Sequence, residues 1–420
     1  MDKDEIVKLH ATHTGVLEMA PELAVENKTD LGKAYTPGVA TISKAIEKDP
    51  SLKDQLTLSG KLVAVVTDGS AVLGLGNIGP AGGLPVVEGK SLLYKDLAGV
   101  DALPIAIKQV PIDEFVQTVQ NTSLSFAGIH LEDIAAPRCF EIEDKLRQTL
   151  DIPVYHDDQE GTAIVVLAGL LNAAKVVGKN LADLKVVLNG VGASGVATAK
   201  LLHGVGVQHI TLVDIDGVVK PDSTTYNTYQ TTLAKEIGLS VTGNSLDDVI
   251  DDQDVFIGLS DADVLTGAQV ERMADQPIIF ALANPKPEID PAVAHAAHAG
   301  VVATGSGQYP NQVNNILVFP GLFKGLLLSG LKSVDLAVEE VVARALAQMI
   351  TAPTPEKIIP GVFDDGVVET VTQALLNSKN KVFRKGSEYH GCIPHLDSKR
   401  VSNCDYDCRW VLWSTSWLVR

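Results

Sequence analysis

Two pairs of adjacent carboxylates close short strand-like runs. Glu132-Asp133 follows residues 127–131, and Asp157-Asp158 follows residues 153–156. Acids gathered at strand ends suit a hard divalent cation such as Mn2+ or Mg2+, which takes oxygen ligands. Each pair on its own also fits a solvated loop or a helix cap. Zinc spacing is missing from this region, and His130 and His156 read as structural. Lys90 follows Val87-Glu88-Gly89 amid apolar neighbours. A lysine that is partly desolvated beside a cation can lose its proton and act as a general base. Lys95 is an alternative, and a plain surface lysine after a turn is a third reading. Tyr35-Thr36-Pro37-Gly38 joins an aromatic hydroxyl to a rigid turn. Such a tyrosine serves either as a general acid or as an anchor for an N-terminal segment. Asn284-Pro285 and Asn314-Asn315 place amides where a carboxylate or carboxamide could be bonded, or where the chain simply turns.

A second chemistry lies further on. Gly190-Val191-Gly192-Ala193-Ser194-Gly195 matches G-x-G-x-x-G. It follows an expected strand at 185–189 and opens an expected helix at 192–202. Glycines there permit a tight turn, close approach to a pyrophosphate and close helix packing. The helix N-terminus offers unpaired N–H groups to that anion. Asp214 ends the next expected strand, 210–214, where a carboxylate would accept from the adenosine ribose hydroxyls. An acid there favours NAD over NADP, because a 2′-phosphate would meet negative charge.

Strand-like runs at 255–257, 277–281 and 300–303 alternate with helix-period segments, which argues for a parallel sheet covered on both faces. Residues 61–66 form another buried-strand candidate, followed by a glycine-rich passage through Gly89. A nearly all-apolar helix at 162–177 is the natural bridge between two domains. The expected fold is therefore α/β. A smaller N-terminal α/β catalytic domain (1–160) precedes a Rossmann-type, doubly wound parallel-sheet NAD domain (161–378), and an atypical tail follows (379–420).

The chain has 420 residues, enough for two or three domains. With 34 Lys and Arg against 52 Asp and Glu, its net charge of −18 argues against general nucleic-acid binding. At 45% hydrophobic and 20% charged it is a core-forming chain. The polar start carries no apolar leader, and no apolar run is long enough to cross a bilayer. Four cysteines make no disulfide scaffold, so a cytoplasmic protein is expected. Cys392, Cys404 and Cys408 crowd the tail with all three tryptophans, in no standard metal spacing.

These motifs occur in the order found in one family. The chain resembles the short bacterial malic enzymes and their relatives that act as soluble oxaloacetate decarboxylases. The matching stretches are 35–40, 74–79, 88–90, 99–101, 131–134, 136–140, 156–159, the loop at Gly190, 283–285 and 309–315, within residues 10–375. The resemblance implies metal-dependent oxidative decarboxylation of L-malate to pyruvate and CO2 with reduction of NAD. Tyr35 would be the general acid and Lys90 the general base. Asp157 would orient or deprotonate Lys90. Glu132, Asp133 and Asp158 would hold Mn2+ or Mg2+. Gly190, Gly192, Ala193, Ser194, Gly195 and Asp214 would bind NAD, and Asn284 and Asn315 would bind malate near the nicotinamide. A homodimer is implied. The rival is an oxaloacetate decarboxylase with little redox turnover. A malolactic activity is expected of longer relatives. Three departures stand out. Glu160 replaces the His that commonly follows Asp-Asp-Gln, Ala71 stands where larger relatives carry Arg, and the resemblance fails after about residue 376.

Overall fold

The computed structural model describes residues 2–238 and 241–388. Residues 1–379 form one compact unit, and residues 380–420 cluster separately. The tail cysteines and tryptophans lie outside the described residues.

Continuous apolar runs form most of the strands and are buried on both faces, as parallel sheets require, whereas the edge strand Asp101–Ala106 is only half-buried. The first sheet is wholly parallel. It contains β1 (Leu62–Thr67), β2 (Asp101–Ala106), β3 (Gly128–Glu132) and β4 (Val154–His156), in the order β2-β1-β3-β4. The second contains β5 (Lys185–Asn189), β6 (His209–Asp214), β7 (Gly217–Val218), β8 (Val255–Gly258), β9 (Ile278–Ala281) and β10 (Val301–Thr304). Their order is β10-β9-β8-β5-β6-β7, with only the short β7 antiparallel. Sequence order reverses between β1 and β3 in one sheet and between β5 and β8 in the other. Open α/β sheets bind ligands at such reversals, beyond the strands' carboxyl ends. Both acid pairs and the glycine loop lie there.

The glycine-rich passage is not a turn before Lys90. It is the helix Gly79–Ala98, with Pro80 in its first turn and Pro85 inside it. The small residues let this helix lie close to the end of β1. A Cβ on Gly83 would stand 3.1 Å from the Gly69 Cα and 3.3 Å from Thr67 Cγ2. The bridging helix is found at Thr162–Val176, buried along most of its length. It grows directly out of a π-helical turn, Asp157–Gly161. The last helix, Val367–Glu388, runs past the point where helical periodicity fades in the sequence. Among the described residues, no helix is long and apolar enough to cross a membrane.

Candidate active site

Helix Gly79–Ala98 sets Lys90 and Tyr94 one turn apart on one face, against the carboxyl ends of β3 and β4. Lys90 is largely sheltered, its side chain 14% exposed, and is ion-paired to Asp157 and to Glu132 at 3.0 Å. Its Nζ lies over the Phe319 ring, 5.0 Å from the centroid. Lys95 pairs instead with Asp101 at the surface, away from these acids. Burial alone would lower the Lys90 pKa. Asp157, Glu132 and Asp158 outweigh it and raise the pKa well above the ordinary lysine value. Asp157 is fully buried, yet Lys90 and a hydrogen bond from Tyr155 hold its pKa below the usual carboxylate range.

Tyr94, His130 and Glu132 form a hydrogen-bonded chain. The Tyr94 hydroxyl lies 2.8 Å from His130 Nδ1, and His130 Nε2 lies 2.9 Å from Glu132. Burial pushes the His130 pKa down to about 3, so the ring is neutral. With Tyr94 donating to Nδ1, the Nε2–H donates to Glu132. Neither Tyr94 nor Tyr155 was picked out from sequence. The signals were present: Tyr94 is four residues beyond Lys90, and Tyr155 shares a strand face with Asp157.

Carboxylate oxygens of Glu132, Asp133 and Asp158 approach one another within 4.8 Å. Burial and mutual repulsion raise their pKa values to about 7, 8 and 8 respectively, with Lys90 opposing. Asp133 Oδ2 is buried without a hydrogen-bond partner. Three crowded carboxylates with a spare buried lone pair fit a hard divalent cation.

The glycine loop caps β5. Gly190 needs its positive φ of 102°, and a Cβ there would fall 2.4 Å from the Leu259 carbonyl oxygen. A Cβ on Gly195 would fall 2.0 Å from the Gly190 oxygen, whereas one on Gly192 would meet nothing within 4 Å. That open space at the start of helix Ala193–Gly204 is where a pyrophosphate could approach the backbone. Asp214 ends β6, and Gln230 donates to it at 2.7 Å and to the Val191 carbonyl at 3.0 Å. Gln230 thereby ties the acid to the loop, a link the sequence did not announce.

The two chemistries share a cavity of about 170 Å3, lined by Asp158, Ser194, Asn284 and Asn315 among others. No lysine or arginine lines it; its side-chain donors are the Asn284, Asn314 and Asn315 amides and the Thr162, Ser194 and Ser260 hydroxyls. Tyr35 is not part of this group. It is 66% exposed at the end of helix Lys28–Ala34, and its hydroxyl bonds none of these residues.

Two family models match the chain: the malic enzyme N-terminal domain over residues 16–111 and 108–147, and the malic enzyme NAD binding domain over residues 159–374. An NAD-dependent malic enzyme of Geobacillus stearothermophilus is 47% identical over 382 residues, covering 90% of this chain and 79% of that one. A bifunctional malic/malolactic enzyme of Bacillus subtilis is 46% identical over 378 residues, covering 89% and 92%. That relative overturns the expectation that malolactic activity goes with longer chains. The crystal structure of an NAD-dependent malic enzyme from Thermotoga maritima superposes with a TM-score of 0.84 at 40% identity, covering 90% of this chain and 99% of that one. On these matches, which span both sheets and the loop between them, the chain belongs to the malic enzyme family.

Proposed function

We propose that the chain converts L-malate to pyruvate and CO2, passing hydride to NAD, with Mn2+ or Mg2+ held by Glu132, Asp133 and Asp158. The observation that carries this reading is the single cavity lined by Asp158, Ser194, Asn284 and Asn315. When bound, the cation would lower the pKa of the C2 hydroxyl and favour negative charge on its oxygen, and the nicotinamide would accept hydride. Lys90 takes the hydroxyl proton and later returns it to the same oxygen. It accepts only when neutral, a state that burial over Phe319 favours and the surrounding acids oppose. Asp157 stays ionised, so it orients Lys90 rather than keeping its proton. Asn284 and Asn315 orient the substrate carboxylate and the carboxamide. The loop Gly190, Gly192, Ala193, Ser194, Gly195 binds the pyrophosphate, and Asp214 binds the ribose.

Tyr35 delivers the proton to C3. We read it as reaching the cluster in a homodimer. Helix Gly38–Lys48 and helix Lys28–Ala34 bury no residue, and Leu31, Val39 and Ile42 stand exposed beside Tyr35. A second copy would cover that face. On this reading, residues 1–160 carry the metal and proton-transfer groups, and 161–378 carry NAD. The net charge of −18 argues against a nucleic-acid partner, and we read the enzyme as cytoplasmic.

The test is product analysis from malate with NAD+ and Mn2+. NADH and pyruvate should appear in equal amounts, and Lys90→Ala should abolish both while NAD+ affinity is retained. A flat NADH trace with rapid loss of added oxaloacetate would instead identify a decarboxylase. Lactate without net NADH would identify malolactic turnover.

A further inference from the structure

A larger cavity, about 430 Å3, lies apart from the metal and nucleotide groups. It is framed by helices Arg138–Thr149, Ala193–Gly204, Thr228–Glu236 and Leu336–Gln348. Three buried carboxylates line it, Glu143, Glu160 and Glu339, only 4%, 6% and 5% exposed. Arg147 Nη2 serves two of them. It stands 2.7 Å from Glu143, as an ion pair off the hydrogen-bond angle, and 3.1 Å from Glu160. Glu143 also accepts from the Gln159 amide at 2.6 Å, and Glu160 from the His156 N–H at 2.7 Å.

Glu339 is left over. Among the described residues, its side chain makes no hydrogen bond or ion pair, although it faces the cavity. Burial, then Glu160, push its pKa up to about 8. Lys200 lines the same space without coming into ion-pair contact. A buried carboxylate without a partner is costly, and a cation seated beside it would remove that cost. The lining also carries an aromatic pair, Phe140 and Tyr229, with ring centroids 4.7 Å apart. At the mouth stand two exposed acids, Asp144 and Glu236.

We propose that this cavity binds a short aliphatic diamine, with one ammonium at Glu339, the alkyl chain against Phe140 and Tyr229, and the other ammonium at Asp144 and Glu236. A bare ion has no alkyl surface to lay against Phe140 and Tyr229, and a neutral ligand would bring no charge to Glu339. The rings supply apolar contact to the methylene chain. The site also has a mechanical link to the first one. Gln159 and Glu160 belong to the turn Asp157–Gly161, which carries Asp157 and Asp158. Occupancy therefore stiffens the turn that holds those two acids.

The experiment is calorimetric titration of the full chain with 1,4-diaminobutane, with 1-butanol as the uncharged control. The diamine should bind and butanol should not. Glu339→Gln should weaken the diamine by about tenfold or more, the loss expected when one partner of a buried charge pair is removed. Glu236→Gln, an exposed change that cannot unfold the chain, should weaken it about two- to fourfold. Hydrogen exchange across residues 156–161 should slow when the diamine is bound. No diamine binding up to about 10 mM, an affinity of only about −2.7 kcal/mol, would overturn the proposal. So would equal binding by the wild type and both variants.

Discussion

The space at Gly192 gives a prediction that separates folding from cofactor binding. Gly192 has φ −80° and ψ −154°, which an L-residue can adopt, and an added Cβ meets no atom within 4 Å. Gly192→Ala should therefore fold normally. A small gain is expected, because replacing glycine at a compatible site reduces unfolded-state entropy by about 0.4–1 kcal/mol. The same methyl would stand where the pyrophosphate must approach the helix N-terminus. A hydrogen bond to a charged group is worth about 1.5–3 kcal/mol, so losing one raises Kd by about 10- to 100-fold. Gly195→Ala is the contrast. Its Cβ would lie 2.0 Å from the Gly190 carbonyl oxygen, so the loop must move even without ligand. Overpacking of that kind costs about 1–3 kcal/mol. Thermal denaturation and NADH fluorescence titration on both variants are the assay. Gly192→Ala should keep its melting temperature and lose affinity, while Gly195→Ala should lose both. An unchanged NADH Kd in Gly192→Ala would show that the pyrophosphate does not sit at this turn.

Asp214→Ser should lower the preference for NAD over NADP by about tenfold, since a 2′-phosphate would no longer meet a carboxylate; an unchanged ratio of kcat/KM values would remove Asp214 from cofactor selection. Mn2+ should raise the melting temperature at pH 8, by the equivalent of about 2.7 kcal/mol at a hundredfold excess over Kd. That gain should fade toward pH 6, where Glu132, Asp133 and Asp158, with pKa values near 7, 8 and 8, take up protons instead. Without metal the sign reverses. The folded pKa values lie above the unfolded values of about 4, so the folded chain binds more protons and loses stability as pH climbs from about 4 to about 8. An Mn2+ shift that is equal at both pH values, or that survives in Asp133→Asn, would refute the ligand assignment.

The second sheet was legible because its strands are short apolar runs separated by helix-period segments, and both faces of each strand are buried. The glycine loop was legible for a related reason: all its requirements fall within six consecutive residues between a strand and a helix. Helix Gly79–Ala98 was not. Its glycines and prolines speak for a turn, and local propensity is overridden by close packing against Gly69 and Thr67. No local rule anticipates a contact between residues that the fold alone brings together.

The same distinction governs the site. Acid pairs at strand ends can be read from neighbours in the chain, but the state of each acid cannot. Asp157 and Asp158 are adjacent, the first fully buried and the second with a side chain 30% exposed, yet it is the buried one that is held below the ordinary carboxylate range and the other that is pushed up to about 8. The difference comes from the direction each side chain faces: Asp157 toward Lys90 and Tyr155, Asp158 toward Glu132 and Asp133. The turn Asp157–Gly161 makes that division, sending consecutive carboxylates to a lysine and to the cluster with Glu132 and Asp133. Only Glu132 joins the two groups, through its ion pair with Lys90 at 3.0 Å. Two adjacent acids thus take two different environments through backbone geometry, which composition and spacing do not encode.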